Sequence, residues 1–449
     1  MGGIDKYAEY KDTGIEWFSS IPAHWEVHKL KHIADVNFSS VDKHAVDGET
    51  TIRLCNYVDV YYHDKITSDI DFMDATATQD EIKRFRIRKG DVLVTKDSEE
   101  WSDIAIPSYV ESEMNDVICG YHLAHVRPIE RKSVGSFLAR AFSARGVNDQ
   151  LRVEALGVTR FGLGNYSVNS ALFPVPPTEE QEYISRFLDR EMVRIDSLIT
   201  MKERQIELLQ EKRSAIIAHL VTQGMDPNIP MRDSGLAWLG MIPKHWEVKR
   251  LKYMSPHITV GIVVTPSKYY VDEGIPCLRS LNVRKGHIVD EELVFISEES
   301  NRLHSKSMLR AGDVVSVRTG QPGTTAVVDE RYDGANCIDL IIIRQSNLFD
   351  SLFLSYVMGS NYVEGQFASG SGGAIQQHFN IETASCLLVA VPPKEEQVQI
   401  RDTLDRQIGR IQQAEDRIQM GIKKLHEYRA AVIFSAVTGK IDVRREIKS

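Results

Sequence analysis

The sequence predicts an α+β fold: two tandem globular domains, related by a pseudo-two-fold axis and separated by two long antiparallel coiled-coil helices. Three observations predict it. The 449-residue chain is internally duplicated. Each copy begins with short β-like runs punctuated by Gly, Pro, Asn and Asp. Each copy ends in a proline-free stretch with apolar residues at heptad spacing.

The duplication is read first, because it sets the plan of everything else. Residues 12–31 (DTGIEWFSSIPAHWEVHKLK) and 233–252 (DSGLAWLGMIPKHWEVKRLK) are identical at eleven of twenty positions, at an offset of 221. Residues 176–190 (PPTEEQEYISRFLDR) and 392–406 (PPKEEQVQIRDTLDR) agree at nine of fifteen, at an offset of 216. That second offset continues through Arg213/Arg429, Ile217/Ile433 and Thr222/Thr438. A period near 220 is too long for a solenoid, so a whole domain-plus-helix unit is repeated. The predicted boundaries are 1–175 and 225–391 for the globular domains, 176–224 for the first helix, and 392–449 for the second helix with its tail.

Within each domain the apolar runs Val92–Thr95, Leu123–Val126, Val314–Val317 and Leu340–Ile343 read as buried strands. The first and third follow a Gly-Asp pair, Gly90-Asp91 and Gly312-Asp313. Lys83–Lys89 (KRFRIRK) places five cations in seven residues and reads as a half-exposed strand with its charges on one face. His24-Trp25 and His245-Trp246 recur in the repeat and read as an aromatic anchor near the start of each domain.

Pro-Pro followed by Glu-Glu-Gln starts each helix, with prolines ahead of the first turn and acids inside it. Each helix runs for roughly 40 residues, about 60 Å at the standard rise. The shared seam is predicted to place Leu188, Ile195, Leu209 and Ile216 against Leu404, Ile411, Leu425 and Val432. Polar residues interrupt the columns at Lys202, Arg213, Glu415 and Arg429.

Composition narrows the function. With 42% hydrophobic and 26% charged residues the chain belongs with globular proteins. No apolar run reaches the ~18 residues of a membrane span. The polar opening MGGIDKYAEYKD lacks a secretion signal, so the cytoplasm is the expected compartment and no membrane partner is expected. Five scattered cysteines without a CxxC pair read as buried reduced thiols, with no metal site. No P-loop, GxGxxG, HExxH or GxSxG pattern occurs, so no catalytic residue is assigned. The net charge of −9 opposes phosphate binding unless positive charge is gathered on one face. The gathering places are the strand-end cations Lys96 and Arg318, the basic run with Arg84 and Arg86, and the late loops with Arg160, Gln376 and Gln377. Arg53 and Arg279 complete the candidate DNA-binding set. Arginine reads guanine bidentately and glutamine reads adenine.

As a combination, the doubled DxGxxWxxxIPxHWEVxxL segment, the Gly-Asp strand starts, the doubled PPxxEQxxI helix entry and the ending Val437–Arg444 resemble the specificity subunit of type I restriction–modification systems. The resemblance spans essentially the whole chain. It implies two target-recognition domains, each reading one half of a split sequence in double-stranded DNA. It implies helices that set the gap and dock two modification (methyltransferase) subunits, with restriction (translocase/nuclease) subunits joining the complex. It implies a chain that is not itself an enzyme and binds no cofactor, S-adenosylmethionine and ATP with Mg belonging to the partner subunits. One departure is visible: Lys96–Trp101 lacks the glycine-rich turn of Thr319–Gly323, so base contacts do not transfer from one domain to the other. The alternative function is a two-headed coiled-coil scaffold that joins proteins and does not touch DNA.

A ruler is the mechanical consequence of the heptads. Inserting one heptad in both helices, near Glu203 and Gln419, preserves the register and adds about 10 Å. At ~3.4 Å per base pair, the unread gap between half-sites is expected to grow by about three pairs. Mapping methylated adenines in a host carrying this variant checks it; unchanged spacing refutes the ruler.

Overall fold

A computed structural model describes residues 5–321, 323–370 and 379–446. The chain divides into two compact units, Met1–Lys202 with Met420–Ser449, and Glu203–Gln419.

In the first unit a five-stranded sheet runs in the order Ala34–Phe38, Leu123–Pro128, Val92–Thr95, Pro107–Val110, Lys65–Ile66. All its pairings are antiparallel except the last. A three-stranded sheet of Val117–Cys119, Thr50–Cys55 and Met73–Ala77 packs with it. The central strand explains its uninterrupted apolar run. Val92 and Val94 face the core shared with the helices, while Leu93 faces the core under the second sheet. The second unit repeats this logic with the antiparallel order Ile258–Val260, Leu340–Ile343, Val314–Val317, Thr325–Val327. There Val314, Ile341 and Ile343 face the helices, and Val315, Val317, Leu340 and Ile342 face away.

Two sequence expectations are corrected. Gln79–Phe85 is a helix, not a strand, because Thr78 and Glu81 close a capping box on its first turn. After the helix, Arg86 makes one isolated bridge to Ile118 and the Ile87 N–H donates to the Val117 carbonyl. Phe85 and Ile87 are buried, so the alternation is real, but a helix end produces it. The thiols are free, and four are buried; Cys386 is exposed.

The long helices span Thr178–Gln223 and Lys394–Val437. In the first unit Leu188, Met192, Ile195 and Ile199 share one core with Val432, Ile433 and Ala436. In the second, Leu220 and Val221 share a core with Ile400, Leu404 and Ile408, and Ile216 packs on it. In both, residues near the start of one helix meet residues near the end of the other, so the helices are antiparallel. Of the predicted seam, Leu209, Ile216 and Leu425 are half-buried and the other five are buried. Lys202 is accommodated because Gly421 faces it: a Cβ there would lie 3.2 Å from the lysine Nζ and 3.4 Å from Cε.

The helix starts are stitched into the domains by their Glu-Gln pair. Glu180 receives the indole N–H of Trp25 at 2.9 Å and His24 Nε2 at 2.7 Å. Glu396 holds Trp246 at 3.2 Å and His245 at 2.7 Å. The next residue, Gln181, accepts from the Val134 N–H and donates to the carbonyls of Lys132 and Pro176. Gln397 likewise accepts from the Asp350 N–H and donates to Leu348 and Pro392. The anchor is thus a carboxylate beside a buried indole, and the amide that follows satisfies three backbone groups.

The end of the opposite helix closes over each anchor. Gly439 (φ +68°) sits on Pro22 and Trp25, and Gly224 (φ +76°) on Trp246 and Glu396. Alanine at 439 meets both a left-handed backbone and the Pro22 ring, so Gly439→Ala is expected to cost upward of about 1–2 kcal/mol. Gly14→Ala, at φ +66° with open space around it, carries the backbone term alone. Thermal melts of the two variants are expected to rank Gly439→Ala clearly below Gly14→Ala.

Candidate nucleic-acid interface

The Gly-Asp motif fixes one end of two neighbouring strands. Asp91 is buried and accepts from Arg127 Nε at 2.9 Å and Nη2 at 2.7 Å; it also meets His125 Nε2 at 2.7 Å. Burial alone raises its carboxyl, but the Arg127 and His125 hydrogen bonds outweigh that and hold it below the usual carboxylate range. In the second unit buried Asp313 is paired with Arg344 and accepts from the Arg310 N–H at 2.9 Å. Each pair ties the strand after Gly-Asp to its antiparallel neighbour.

The other end of the same two strands carries the candidate cations. Lys96 follows Thr95, and its N–H donates to the His122 carbonyl at 3.0 Å. Its ammonium is 3.1 Å from Asp97 and lies over the rings of Tyr121 (4.6 Å) and Phe38 (5.6 Å). His122 Nδ1 is 2.9 Å from the same Asp97 oxygen, and Arg160 Nη2 is 3.3 Å from the His122 ring. Lys96 and Arg160, far apart in sequence, therefore meet in one cluster with Asp97, Tyr121 and His122. Beside it, Leu156 and Val158 are exposed on the Arg160 loop.

The second unit builds the same frame with other side chains. Arg318 Nη1 donates to Asp339 at 2.7 Å, and the Thr319 hydroxyl donates to the other oxygen at 3.2 Å. Asp339 holds φ +52°, a strained conformation for a non-glycine residue. The Leu163 N–H donates to the Lys96 carbonyl at 2.8 Å, and the Phe379 N–H donates to the Arg318 carbonyl at 3.2 Å. Arg160 and Gln376 occupy matching positions at the repeat offset of 216. Gln376 and Gln377 lie outside the described residues.

The remaining candidates lie away from these clusters or at their edge. Arg53 pairs bidentately with Asp116, at 2.6 and 2.7 Å, in the three-stranded sheet. Arg84 shares the Asn37 side-chain oxygen at 3.3–3.4 Å, one residue along the strand from Phe38. Arg86 has a buried Nε without a partner, and its carbonyl accepts from Arg127. Arg279 donates to the Glu292 carbonyl. Sequence reasoning missed Asp97, Tyr121, His122 and Asp339. The available signal was position: His122 and Asp339 each immediately precede an apolar strand run. Among the described residues no group of three or more His, Cys, Asp or Glu side chains could hold a metal ion.

Residues 22–209 match the family model for the type I restriction modification DNA specificity domain. Over 287 residues the chain is 25% identical to the type I restriction enzyme MjaVIII specificity subunit of Methanocaldococcus jannaschii, covering 60% of this chain and 62% of that protein. It is 22% identical over 453 residues to the putative type I restriction enzyme MjaX specificity subunit of the same organism, covering 98% of each. In fold it is similar to a chain solved in a study of complex assembly and conformational transition of the type I R-M system. That likeness has a TM-score of 0.72 at 18% identity and covers 94% of this chain and 99% of that one.

Removing Asp91 leaves Arg127 without its counter-charge and His125 Nε2 without its hydrogen-bond partner. Asp91→Ala is expected to lower stability by about 3–5 kcal/mol, the cost of breaking a buried pair from one side. Urea denaturation followed at Trp25 in the first unit checks this, with an earlier first transition expected.

Proposed function

We infer that the chain belongs to the specificity subunits of type I restriction–modification systems and reads DNA sequence for the complex it joins. The observation that carries this reading is the doubled head. Two units of one plan each present a cation at the same strand end, leashed to an acid: Lys96 to Asp97, and Arg318 to Asp339. The frame is constant and the side chains differ, which suits two heads reading two different half-sites.

Recognition then works by exchange. Each cation rests on its acid until a base edge or phosphate oxygen offers a better acceptor. Tyr121 and Phe38 already hold the Lys96 ammonium in place, so little side-chain freedom is lost on contact. The acidic remainder of each head disfavours indiscriminate phosphate binding, and partners that surround the duplex supply the missing positive charge. The helices are the natural docking surface for two modification subunits. Adenine methylation with S-adenosylmethionine, and ATP-driven translocation and cleavage, then belong to the modification and restriction subunits, in the cytoplasm. Among the described residues no helix is long and apolar enough to cross a membrane.

The test is half-site-specific loss. In the assembled complex, Lys96→Ala is expected to weaken or relax recognition of one half-site and Arg318→Ala of the other, each by about 1–3 kcal/mol where a base is read. A phosphate contact instead lowers binding to all sequences and flattens the salt dependence. Binding titrations on the cognate site and on two half-site mutants separate these outcomes. Cognate binding equal to wild type in both variants overturns the placement of the reading face.

A further inference from the structure

Each unit has a cleft where its globular domain meets the helix pair, and the two clefts differ in charge. In the first unit the cleft is closed. Arg429 reaches Asp64 at 3.0 Å and Asp196 at 2.8 Å. Arg140 reaches the same Asp64 at 3.3 Å and Asp189 at 2.9 Å. The space left around Asp64, Arg140 and Asp189 is about 10 Å³.

The repeat offset of 216 shows what replaces them in the second unit. Arg213 stands for Arg429, Tyr356 for Arg140, Asp405 for Asp189, and Gln412 for Asp196. Tyr356 donates its hydroxyl to Asp405 at 2.6 Å, which occupies that carboxylate. Gln412 brings no charge and turns to Asp416 at 3.0 Å. The domain loop bordering the cleft carries Lys285 and His287, where the first unit has Asp64. The cleft is open, with a volume of about 850 Å³.

Two groups in it are left unmet. Arg213 is half-buried and makes no ion pair or hydrogen bond among the described residues. Glu415, in the same lining, is 6% exposed, and its Oε1 accepts no hydrogen bond. Buried charges are retained when something pairs with them. The first unit displays the solution for the arginine: two carboxylates, one from the facing helix and one from the domain loop.

We propose that the open cleft of the second unit receives an acidic peptide segment of a modification subunit, an inference that rests on the reading given under Proposed function. The acidic side chain of that segment takes the role beside Arg213 that Asp196 and Asp64 take beside Arg429, with Lys285 and His287 at the rim. A backbone N–H of the same segment serves Glu415. An inorganic anion satisfies the arginine and leaves Glu415 unmet, which favours a peptide. The first unit already holds its own carboxylates, so the two modification subunits dock unequally.

The experiment uses the full-length chain, titrated with purified modification subunit and followed by native mass spectrometry and calorimetry. Arg213→Gln removes the receiving charge. Gln412→Asp supplies the internal carboxylate that the first unit has, at an exposed helix position where folding is not at stake. Each is expected to weaken one of the two binding steps by about tenfold or more and leave the other at the wild-type value. Both steps unchanged in both variants, or both steps weakened alike, overturns the cleft as a docking site. Wild-type chain that binds no modification subunit overturns the assigned family function, and this proposal with it.

Discussion

The carboxylate at the second acidic position of each long helix is the contact on which the rest of the molecule depends. Glu180 and Glu396 each bind an indole N–H and an imidazole from the segment that opens the domain. Trp25 and Trp246 are among the largest fully buried side chains, so each indole N–H needs an acceptor inside the protein. The helix start supplies it, and the next residue locks three backbone groups of the domain. Domain and helix therefore meet at a fixed angle, and the strand ends that carry Lys96 and Arg318 are held by a rigid base.

Much of this was legible because duplication exposes constraint within one chain. The helix entry, the heptad columns and the four central strands all follow from patterns whose period matches their structure. What pattern could not show was partnership. KRFRIRK alternates like a strand, yet a capping box two residues upstream of that run, Thr78 with Glu81, decides for helix. Gly-Asp read as a strand start, while its content is a buried ion pair to an arginine more than thirty residues away. The acids that hold the candidate cations were invisible for the same reason. Asp97 is adjacent to Lys96, but Asp339 lies twenty-one residues from Arg318, and only the sheet brings them together.

The pairing of those cations recasts the acidity of the chain. A net charge of −9 first looked like an objection to DNA. With Lys96 held by Asp97 and Arg318 by Asp339, the two strand-end cations offer little free positive charge to a random duplex. On the proposed reading, long-range attraction is then weak, and discrimination rests on contacts that displace a carboxylate at short range. The rings of Tyr121 and Phe38 lie against the Lys96 ammonium that this reading uses.

The split of the chain into Met1–Lys202 with Met420–Ser449, against Glu203–Gln419, has a consequence for synthesis. The first unit to emerge from a ribosome is the last that can be completed. Its apolar helix face, with Leu188 and Ile195, waits for Val432 and Ile433, and its Trp25 waits for Gly439. At ~5–20 residues per second that wait is on the order of ten seconds to a minute. The second unit is continuous in sequence and free to close before it. A nascent chain thus holds an uncovered apolar helix face until the residues from Met420 onward have been made.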